Sequence, residues 1–347
     1  MNIAIDCRYF GKSGIGRVCR GIIDNLDYSA HRFYLIGEKA ALSDFKNAEI
    51  IEDSTEPYSV KGLLAFNKKR INKECDALII PNFLIPFGIK IPVFAVMHDL
   101  AFLDVKETVN GKTDGLIKKY LLKRCMKKAQ AISCVSEFTL NRCRFFFGKY
   151  ADKCFISYNG LSNDLIEYGK TRTIGSVTKE NRIIFIGNVK RHKGLDTLLS
   201  AFSKLEGTGL FLKIIGEKDG FITGLKVDES AYKNVEFTGK ISDEELYGEI
   251  SKARFLIQPS VYEGFGIPPL EALYLGTKPI ISDIEVFKEI YSDLPVAFFK
   301  TGDADDLKNK ILTENPSVDN VRETIKKKYD YALCARNILS AVKASEK

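Results

Sequence analysis

Residues 259–273 read PSVYEGFGIPPLEAL, a stretch that combines a glycine-rich loop with two acidic residues, Glu263 and Glu271. The residues just before it form a short apolar run, which is typical of a buried strand. Pro268 and Pro269 suit the first positions of a helix, where proline is tolerated. The stretch therefore predicts a strand, a loop and a helix in succession, with Glu263 in the loop and Glu271 in the first turns of the helix.

The predicted loop and helix carry groups that suit a sugar or a phosphate. The backbone amides of Gly264, Phe265 and Gly266 can donate hydrogen bonds to hydroxyl or phosphate oxygens. Each of the two carboxylates can accept from paired hydroxyls, at about 1.5–3 kcal/mol per charge-assisted bond. The alternative is that Glu271 only caps its helix.

Short apolar runs alternate with amphipathic segments along the whole chain, which favours parallel sheets flanked by helices. The chain has 347 residues, 45% of them hydrophobic and 28% charged, which excludes disordered, collagen-like and disulfide-scaffold proteins. A polar, weakly patterned segment at residues 161–181 predicts a linker. We therefore expect an α/β protein with domains at residues 1–165 and 166–347, a division that allows the last helix to pack back on the first domain.

The two predicted domains differ in charge. Up to residue 165 there are 25 Lys and Arg against 18 Asp and Glu, whereas the remainder has 27 of each. The whole net charge of +7 thus lies in the first domain. Such a one-sided positive field attracts anions, which include nucleotides, nucleic acids and acidic membrane surfaces.

Glycines follow the first predicted strand at Gly11, Gly14 and Gly16. Glycines between a strand and a helix let backbone amides approach a phosphate. The spacing differs from the dinucleotide-binding pattern, and a Walker A loop would need glycine where Asp6 stands. A tight turn without a ligand is the alternative for these glycines, and a P-loop-like NTPase is kept as an alternative function.

Two further strand ends carry polar residues. His98 and Asp99 follow an apolar strand, at the edge where parallel sheets bind ligands, although a core histidine bonded to a carbonyl is the alternative. Residues 187–194 read GNVKRHKG and follow another predicted strand. Three cations and a histidine in one turn repel one another unless an anion such as a diphosphate lies among them. A solvated basic loop is the alternative here.

With these motifs the sequence resembles the retaining glycosyltransferases of family 4, which have the GT-B fold. Glu263 and Glu271 match the family's E-x7-E motif, and residues 186–194 are similar to its phosphate-binding turn, with Lys193 in the lysine position. The pair of Gly14 and Gly16 is similar to the family's glycine loop. The resemblance implies two Rossmann-like, doubly wound parallel-sheet lobes that face each other across a cleft.

The resemblance also implies roles for single residues. Lys193 would hold the diphosphate of a nucleotide-sugar donor, Glu271 the ribose hydroxyls, and Glu263 the donor sugar near O3 and O4. His98, similar to the family's histidine–aspartate strand end, would lie near the reacting centre. The implied catalytic residues are His98, Lys193 and Glu263, and the implied donor-binding residues are Gly14, Gly16, Asn188, Arg191, Lys193, Gly239, Lys240, Ile241, Glu263, Gly264, Phe265, Gly266 and Glu271.

One position departs from the family pattern. Many members carry arginine after the glycine of the phosphate-binding turn, where this chain has Asn188, so Arg191 or Lys190 is expected to substitute. The Asp-x-Asp sequence at Asp303 and Asp305 is interpreted as the start of a late helix. The eight cysteines show no CxxC pair, so the sequence predicts neither a zinc site nor disulfides. We expect an enzyme without a metal or a cofactor.

The implied activity is the retaining transfer of a hexose from a nucleotide-sugar donor to a saccharide or lipid-linked saccharide, in the synthesis of surface polysaccharide or lipopolysaccharide. The motif wording favours GDP-mannose over a UDP- or dTDP-sugar. A P-loop-like NTPase and a non-catalytic nucleotide-sugar-binding protein are the alternatives.

Residues 116–128 read LIKKYLLKRCMKK, with six basic residues, no acidic ones, and an apolar stripe of Ile117, Tyr120, Leu121 and Cys125 at helical spacing. A basic amphipathic helix is typical of a membrane-surface element, while a core-facing helix with a solvated outer face is the alternative. Nucleic-acid binding is not expected, because Tyr120 is the one aromatic residue among these cations. We predict a cytoplasmic protein that is peripheral on the inner face of the membrane.

Overall fold

The structure is a computed structural model that describes residues 1–105, 108–109, 111–171, 177–217, 232 and 234–345. The chain divides into two compact units. We call them the first lobe, made of Met1–Leu100, Gly115–Ser162 and Tyr329–Lys347, and the second lobe, made of Ala101–Asp114 and Asn163–Lys328.

The first lobe is built on a seven-stranded sheet in which every pairing is parallel. Its strands are β1 (Asn2–Asp6), β2 (Arg32–Gly37), β3 (Glu49–Glu52), β4 (Ala77–Ile80), β5 (Val93–Met97), β6 (Ala131–Cys134) and β7 (Cys154–Ile156). The helices between them in sequence are α1 (Ser13–Ile23), α2 (Val60–Leu64), α3 (Lys68–Glu74), α4 (Ala101–Asp104), α5 (Gly111–Lys128) and α6 (Glu137–Phe147). Of these, α4 and the first four residues of α5 belong to the second lobe. The strand order is β3-β2-β1-β4-β5-β6-β7.

The second lobe has a six-stranded sheet, also parallel throughout. Its strands are β8 (Glu180–Ile186), β9 (Phe211–Ile215), β10 (Val235–Gly239), β11 (Ala253–Gln258), β12 (Lys278–Ser282) and β13 (Ala297–Phe299). The later helices are α7 (Asn163–Lys170), α8 (Leu195–Ser203), α9 (Asp243–Lys252), α10 (Ile267–Tyr274), α11 (Glu285–Tyr291), α12 (Ala304–Thr313), α13 (Arg322–Lys328) and α14 (Tyr331–Ala344). The strand order is β10-β9-β8-β11-β12-β13.

Both sheets follow the doubly wound, Rossmann-like pattern, in which the chain starts at a central strand and proceeds first to one edge and then to the other. The central strands are buried on both faces, as β1, β4, β5 and β11 show, which explains their continuous apolar runs. The predicted α/β class with two doubly wound parallel-sheet lobes is confirmed.

Residues 161–181, which the sequence predicts to be a linker, contain regular structure. Residues 163–170 form α7, which buries Leu165, and β8 begins at Glu180. Residues 172–176 of this segment lie outside the described residues. The predicted domain boundary at residue 165 falls within α7.

The last helix, α14, packs in the first lobe against α1. A Cβ placed at Gly21 of α1 would lie 2.3 Å from the Tyr331 ring, so the two helices approach closely because Gly21 has no side chain. A parallel β-bridge joins Asp330, the residue just before α14, to Leu161, which lies in the segment that follows β7.

The Asp303–Asp305 sequence begins a helix, as predicted. The Asp303 carboxylate accepts hydrogen bonds from the backbone amides of Asp305 and Asp306, at 3.1 and 3.0 Å, and so caps α12. Among the described residues, no helix combines the length and the apolar character that crossing a membrane requires.

Candidate functional site

The turns after β8 and β11 lie side by side at the carboxyl edge of the second sheet. This is the topological switch point, where the chain changes direction and where sheets of this kind bind ligands. The Val261 amide donates to the His192 carbonyl, at 2.9 Å. Gly194 has a φ of 67°, and a Cβ there would lie 1.9 Å from the Pro259 carbonyl oxygen. Only glycine therefore allows this close packing of the two turns.

The contact of these turns brings Lys193 and Glu263 together. The Lys193 Nζ lies 2.7 and 2.8 Å from the two carboxylate oxygens of Glu263. Their side chains are 22% and 10% exposed, so the ion pair is shielded yet reachable from solvent. Two residues that are seventy positions apart in sequence thus form one charged centre.

The Glu263 carboxylate is held by further donors. The Ser260 hydroxyl donates to Oε1 at 2.7 Å, and the Gln258 amide donates to the Ser260 oxygen at 3.0 Å. Burial alone would raise the pKa of Glu263, but the charge and hydrogen bonds of Lys193, together with His192 and Ser260, lower it below its usual value. Glu263 is therefore an ionised acceptor whose orientation is fixed before any ligand arrives.

The loop after Glu263 is shaped by Gly266. This residue has a φ of 84°, and a Cβ there would lie 2.4 Å from the Phe287 ring. The Tyr291 hydroxyl donates to the Gly266 carbonyl, and Phe265 is buried. The amides of the predicted donor loop are thus carried on a backbone that packing holds in place.

Glu271 lies in the second turn of α10 and is buried. The N-cap position of this helix belongs to Gly266, which has no side chain. Glu271 is therefore placed beyond the cap, so the alternative that it only caps its helix does not describe its position. A buried carboxylate close to the switch point suits recognition of hydroxyl groups.

The remaining predicted donor residues follow β8 and β10. In the turn after β8, Asn188 is half-buried and Arg191 is exposed, and buried Val189 anchors the turn between them. Gly239 ends β10 and accepts from the Gly216 amide at 3.0 Å. Lys240 and Ile241 follow at the same carboxyl edge of the sheet. The structure places these residues as the sequence predicts relative to their strands.

In the first lobe, the turn after β1 is closed by a buried ion pair. The guanidinium of Arg8 donates to both carboxylate oxygens of Asp6, at 2.9 and 2.7 Å, and also to Thr55 and the Gly62 carbonyl. At the position where a P-loop has glycine, this chain therefore has Asp6, whose charged side chain is bonded to Arg8. The P-loop-like NTPase alternative is not favoured.

The glycines of this turn have different surroundings. A Cβ at Gly16 would lie 2.1 Å from the Tyr9 carbonyl oxygen, so Gly16 is required by packing. A Cβ at Gly14 would meet no atom of the described residues within 4 Å. Gly14, in the first turn of α1, is therefore not required by packing, and the first-turn amides of a helix are the ones that phosphate binding would use.

His98 lies at the carboxyl end of β5, and its ring is fixed by a neighbouring turn. The Nε2 atom donates to the Pro81 carbonyl at 2.8 Å, which leaves Nδ1 as the acceptor of the neutral ring. Burial lowers the pKa of His98, although the Pro81 carbonyl and Asp99 act in the opposite direction. The alternative from the sequence, a histidine bonded to a backbone carbonyl, is therefore present. This hydrogen bond also determines which ring nitrogen of His98 carries the proton.

Comparison with known proteins decides the family of this site. Residues 170–328, which include both turns of the switch point, match the family model described as glycosyl transferases group 1. This part of the chain is a group 1 glycosyltransferase domain.

Curated relatives of the glycosyltransferase domain include bacterial O-antigen enzymes. The chain is 29% identical over 178 residues to O-antigen chain mannosyltransferase RfbU of Salmonella typhimurium, covering 50% of this chain and 48% of that protein. It is 25% identical over 224 residues to O-antigen chain mannosyltransferase B of Escherichia coli, covering 61% and 58%. The matched chain thus spans about half of the length of these relatives.

Solved structures extend the likeness to both lobes. Sucrose-phosphate synthase of Thermosynechococcus elongatus gives a TM-score of 0.74 at 16% identity, and Anabaena HepE with UDP and glucose gives 0.71 at 14% identity. Each match covers 99% of this chain and 99% of the other. At these identities the likeness concerns the fold, which is that of GT-B glycosyltransferases. The predicted resemblance to glycosyltransferases and the predicted fold of two parallel-sheet lobes are confirmed.

The apolar side chains of the basic helix α5 point in two different directions. Leu121 and Cys125 of the predicted stripe are buried, whereas Ile117 and Tyr120 are 47% and 58% exposed, together with Leu116 at 68%. The predicted stripe is thus divided between the core and the surface. The exposed part lies among the lysines of the same helix.

Sequence reasoning missed several polar residues of the site. Ser260 and Gln258 hold Glu263, and the only signal that could have found them is their place at the end of a buried strand. The Asp6–Arg8 pair carries no motif. Each of these contacts depends on which loops meet, which a single sequence does not state.

Proposed function

We propose that the chain transfers a hexose from a nucleotide-sugar donor to a saccharide or lipid-linked saccharide in the synthesis of O-antigen or a related surface polysaccharide. The observation that supports this most strongly is the Lys193–Glu263 pair at the switch point of the second sheet. The pair offers a cation for the donor diphosphate and a carboxylate for the sugar hydroxyls, and the two groups are in direct contact.

The pair supplies both kinds of recognition when the donor exchanges with it. A diphosphate competes with the Glu263 carboxylate for the Lys193 ammonium, and the released carboxylate can accept from the sugar hydroxyls. When the bond from sugar C1 to the phosphate breaks, negative charge develops on the leaving diphosphate. Once the diphosphate has displaced Glu263, Lys193 and the amides of Gly264 and Gly266 would stabilise that charge, and such electrostatic stabilisation is usually the largest contribution to catalysis.

The other predicted residues complete the donor site. Glu271 would accept from the ribose hydroxyls, and the strand end at Gly239, Lys240 and Ile241 would contact the base. Arg191 lies in the same turn as Asn188 and would contribute the positive charge that Asn188 lacks. His98 of the first lobe would contact the sugar at the reacting centre. We propose that the reaction retains configuration and needs no metal.

The donor is proposed to be GDP-mannose, and the acceptor to bind to the first lobe. Two relatives are named as O-antigen mannosyltransferases, which agrees with the preference for GDP-mannose that the sequence motifs indicate. The acceptor of an O-antigen chain enzyme would be a saccharide, and a lipid-linked one would require access to a membrane.

Two helices of the first lobe support binding to an anionic membrane surface. Leu116, Ile117 and Tyr120 of α5 are exposed beside basic residues, and the α2 side chains Val60 and Leu64 are exposed as well. The Lys118 ammonium of α5 lies 5.7 Å from the ring centroid of Tyr58, two residues before α2, so α5 lies beside the start of that helix. Apolar side chains flanked by cations suit the interface of an anionic bilayer, and we propose the inner face of the membrane.

Nearby lysines increase the positive charge of this surface. A groove of about 450 Å³ is lined by Lys68, Lys69, Lys73 and Lys90 together with Asn72 and Gly88. Each lysine close to an anionic bilayer is worth about 1 kcal/mol. We expect the protein to bind vesicles that contain anionic lipid and to be released as salt is raised.

The test is a thermal-shift panel with GDP-, UDP- and dTDP-sugars in the presence of EDTA, followed by turnover with the donor that binds. A ligand at a hundredfold excess over its Kd stabilises the native state by about 2.7 kcal/mol. Lys193→Met should lower turnover about 10²–10³-fold, and Glu271→Gln should weaken donor binding.

Lys278→Met is the matched control for Lys193→Met. Lys278 is another partly buried lysine of the second lobe, paired with Glu314 at 2.7 Å, and it lies at the amino end of β12. Its replacement should leave turnover unchanged. Equal loss of turnover in both variants, or no thermal shift with any donor, would overturn the proposed function.

A further inference from the structure

Three cysteines of the first lobe converge beside the last two strands of its sheet. Cys134 ends β6, Cys143 lies in α6, and Cys154 begins β7. Their three sulfur atoms all lie within 4.8 Å of one another. Cys134 and Cys143 are fully buried, whereas Cys154 is partly exposed.

The local topology explains why sulfurs nine and eleven residues apart in sequence meet. Strands β6 and β7 are parallel neighbours with Ile132 opposite Cys154, and α6 is the crossover helix between them. The three cysteines thus belong to one β–α–β unit, so the cluster does not depend on distant parts of the chain. Sequence spacing gave no sign of it, because familiar zinc patterns place two cysteines within a few residues.

We propose that the sulfurs of Cys134, Cys143 and Cys154 bind one soft d¹⁰ metal cation, either Zn²⁺ or Cu⁺. Zinc–sulfur bonds of about 2.3 Å place tetrahedral sulfur ligands about 3.8 Å apart, so the cluster needs a contraction of at most about 1 Å. Thiolates prefer these cations over the hard ions Mg²⁺ and Ca²⁺. Binding releases thiol protons to solvent and involves no oxidation.

The two cations differ in what completes the coordination. A Zn²⁺ ion would need a fourth ligand, which a water molecule can supply. A Cu⁺ ion would be satisfied by the three sulfurs alone. In either case the metal joins β6, α6 and β7, and it takes no part in group transfer, because none of the proposed donor-binding residues belongs to this unit.

The experiment uses the full chain after reduction and removal of metal with a chelator. It is titrated with Zn²⁺ against a chromophoric chelator, and separately with Cu⁺ under nitrogen. We expect about one equivalent of one of these cations to bind, and the tighter of the two identifies the metal. With Co²⁺ in place of Zn²⁺, thiolate coordination should give intense sulfur-to-metal charge-transfer bands in the near ultraviolet.

Cys154→Ser is the informative variant, because its side chain is partly exposed and its replacement disturbs packing least. It should weaken metal binding at least a hundredfold and abolish the Co²⁺ bands. Cys75→Ser, which removes a buried thiol that lies outside the cluster, is the matched control and should bind as the wild type does.

Thiol counting on the wild type keeps the test independent of how the variants fold. Bound metal should protect the Cys154 thiol, the partly exposed member of the cluster, from a thiol reagent in the native protein, and removal of the metal should make it react faster. Absence of binding by the wild type, equal binding by the Cys154→Ser and Cys75→Ser variants, or unchanged thiol reactivity would each overturn the proposal.

Discussion

Each lobe has an ion pair after the first strand of its sheet, but the two pairs differ in exposure. In the first lobe, the Arg8 and Asp6 side chains are each 1% exposed. In the second lobe, Lys193 and Glu263 are 22% and 10% exposed. The same topology therefore carries one pair that is sealed inside the protein and one that a ligand can reach.

The partners of the two pairs explain their different uses. Arg8 donates to Asp6, Thr55 and the Gly62 carbonyl, and its guanidinium lies 4.5 Å from the centroid of the Phe66 ring. These contacts occupy the guanidinium and leave it no role toward a ligand. Lys193 holds a single carboxylate, and the proposed function requires a diphosphate to replace it. Under that proposal, ligand binding at this edge of a sheet depends on which of the two pairs can be exchanged.

The largest effect on stability is expected for Asp6→Ala. Removal of this carboxylate leaves the Arg8 charge buried, which costs about 3–5 kcal/mol of unfolding free energy. Urea unfolding measures the loss. The exposed pair of Lys12 and Glu38 provides the control, because Lys12→Ala should change the unfolding free energy by less than about 1 kcal/mol. A similar loss in both variants would contradict the view that the first pair is structural.

A second contrast uses one glycine from each lobe. Gly16→Ala and Gly194→Ala each place a Cβ against a backbone carbonyl, and each should destabilise its lobe by about 1–3 kcal/mol or more. Gly194→Ala should cost more, because its φ of 67° is also unfavourable for alanine. It should in addition weaken donor binding, since it separates the turns that bring Lys193 to Glu263. If folded Gly194→Ala protein binds the donor with unchanged affinity, the close packing of the two turns is not needed for donor binding.

The loss of unfolding free energy in Lys193→Met should depend on pH, because Lys193 is paired with an ionised carboxylate. In the wild type, the lowered pKa of Glu263 contributes stability above its usual pKa near 4.5, and this contribution is lost as the pH falls. Without Lys193 the shielded carboxylate is left uncompensated, at a cost of about 2 kcal/mol near neutral pH.

Urea unfolding from pH 4 to pH 8 should therefore show that the difference between wild type and Lys193→Met narrows toward low pH. The double variant with Glu263→Gln should recover part of the loss at pH 7. A difference that is constant with pH would mean that the side chains contribute through packing and not through charge.

The smallest effect on stability is expected for Gly14→Ala. The added Cβ meets no described atom within 4 Å, and alanine is the better helix former by about 1 kcal/mol. The melting temperature should therefore stay equal or rise slightly. If the glycine loop of the first lobe contacts the donor, Gly14→Ala should lower turnover without lowering stability. That result would show that the first lobe also takes part in donor binding. Unchanged turnover would leave Gly14 as a residue of the turn alone.

The sequence predicted much of the local structure of the site but few of its contacts. The strand ends before Gly187, Pro259 and His98 were found because buried strands read as apolar runs and their turns carry glycine, proline or charge. The pairing of Lys193 with Glu263 was not found, because it depends on β8 and β11 being neighbours. Strand order is set by tertiary packing, and residues 187–194 are compatible with more than one order.

Polarity alone was misleading in two places. Residues 163–170 are predicted to lie in a linker, yet they form a helix that packs on the second lobe through buried Leu165 and through the Tyr168 ring, whose centroid lies 5.3 Å from that of Tyr247. The apolar stripe of α5 was expected on one face, but Leu121 turns to the core while Tyr120 turns to solvent. A helix that is basic on most sides leaves the direction of its apolar residues undecided.

The return of α14 to the first lobe affects the order in which the lobes are completed during synthesis. Apart from Ala101–Asp114, the second lobe is one continuous run from Asn163 to Lys328, so it can fold as soon as that run has left the ribosome. The first lobe has to wait, because Tyr331 packs against Gly21 and Asp330 pairs with Leu161. Although its sheet is translated first, this lobe is finished last, and until then the α1 surface around Gly21 stays uncovered.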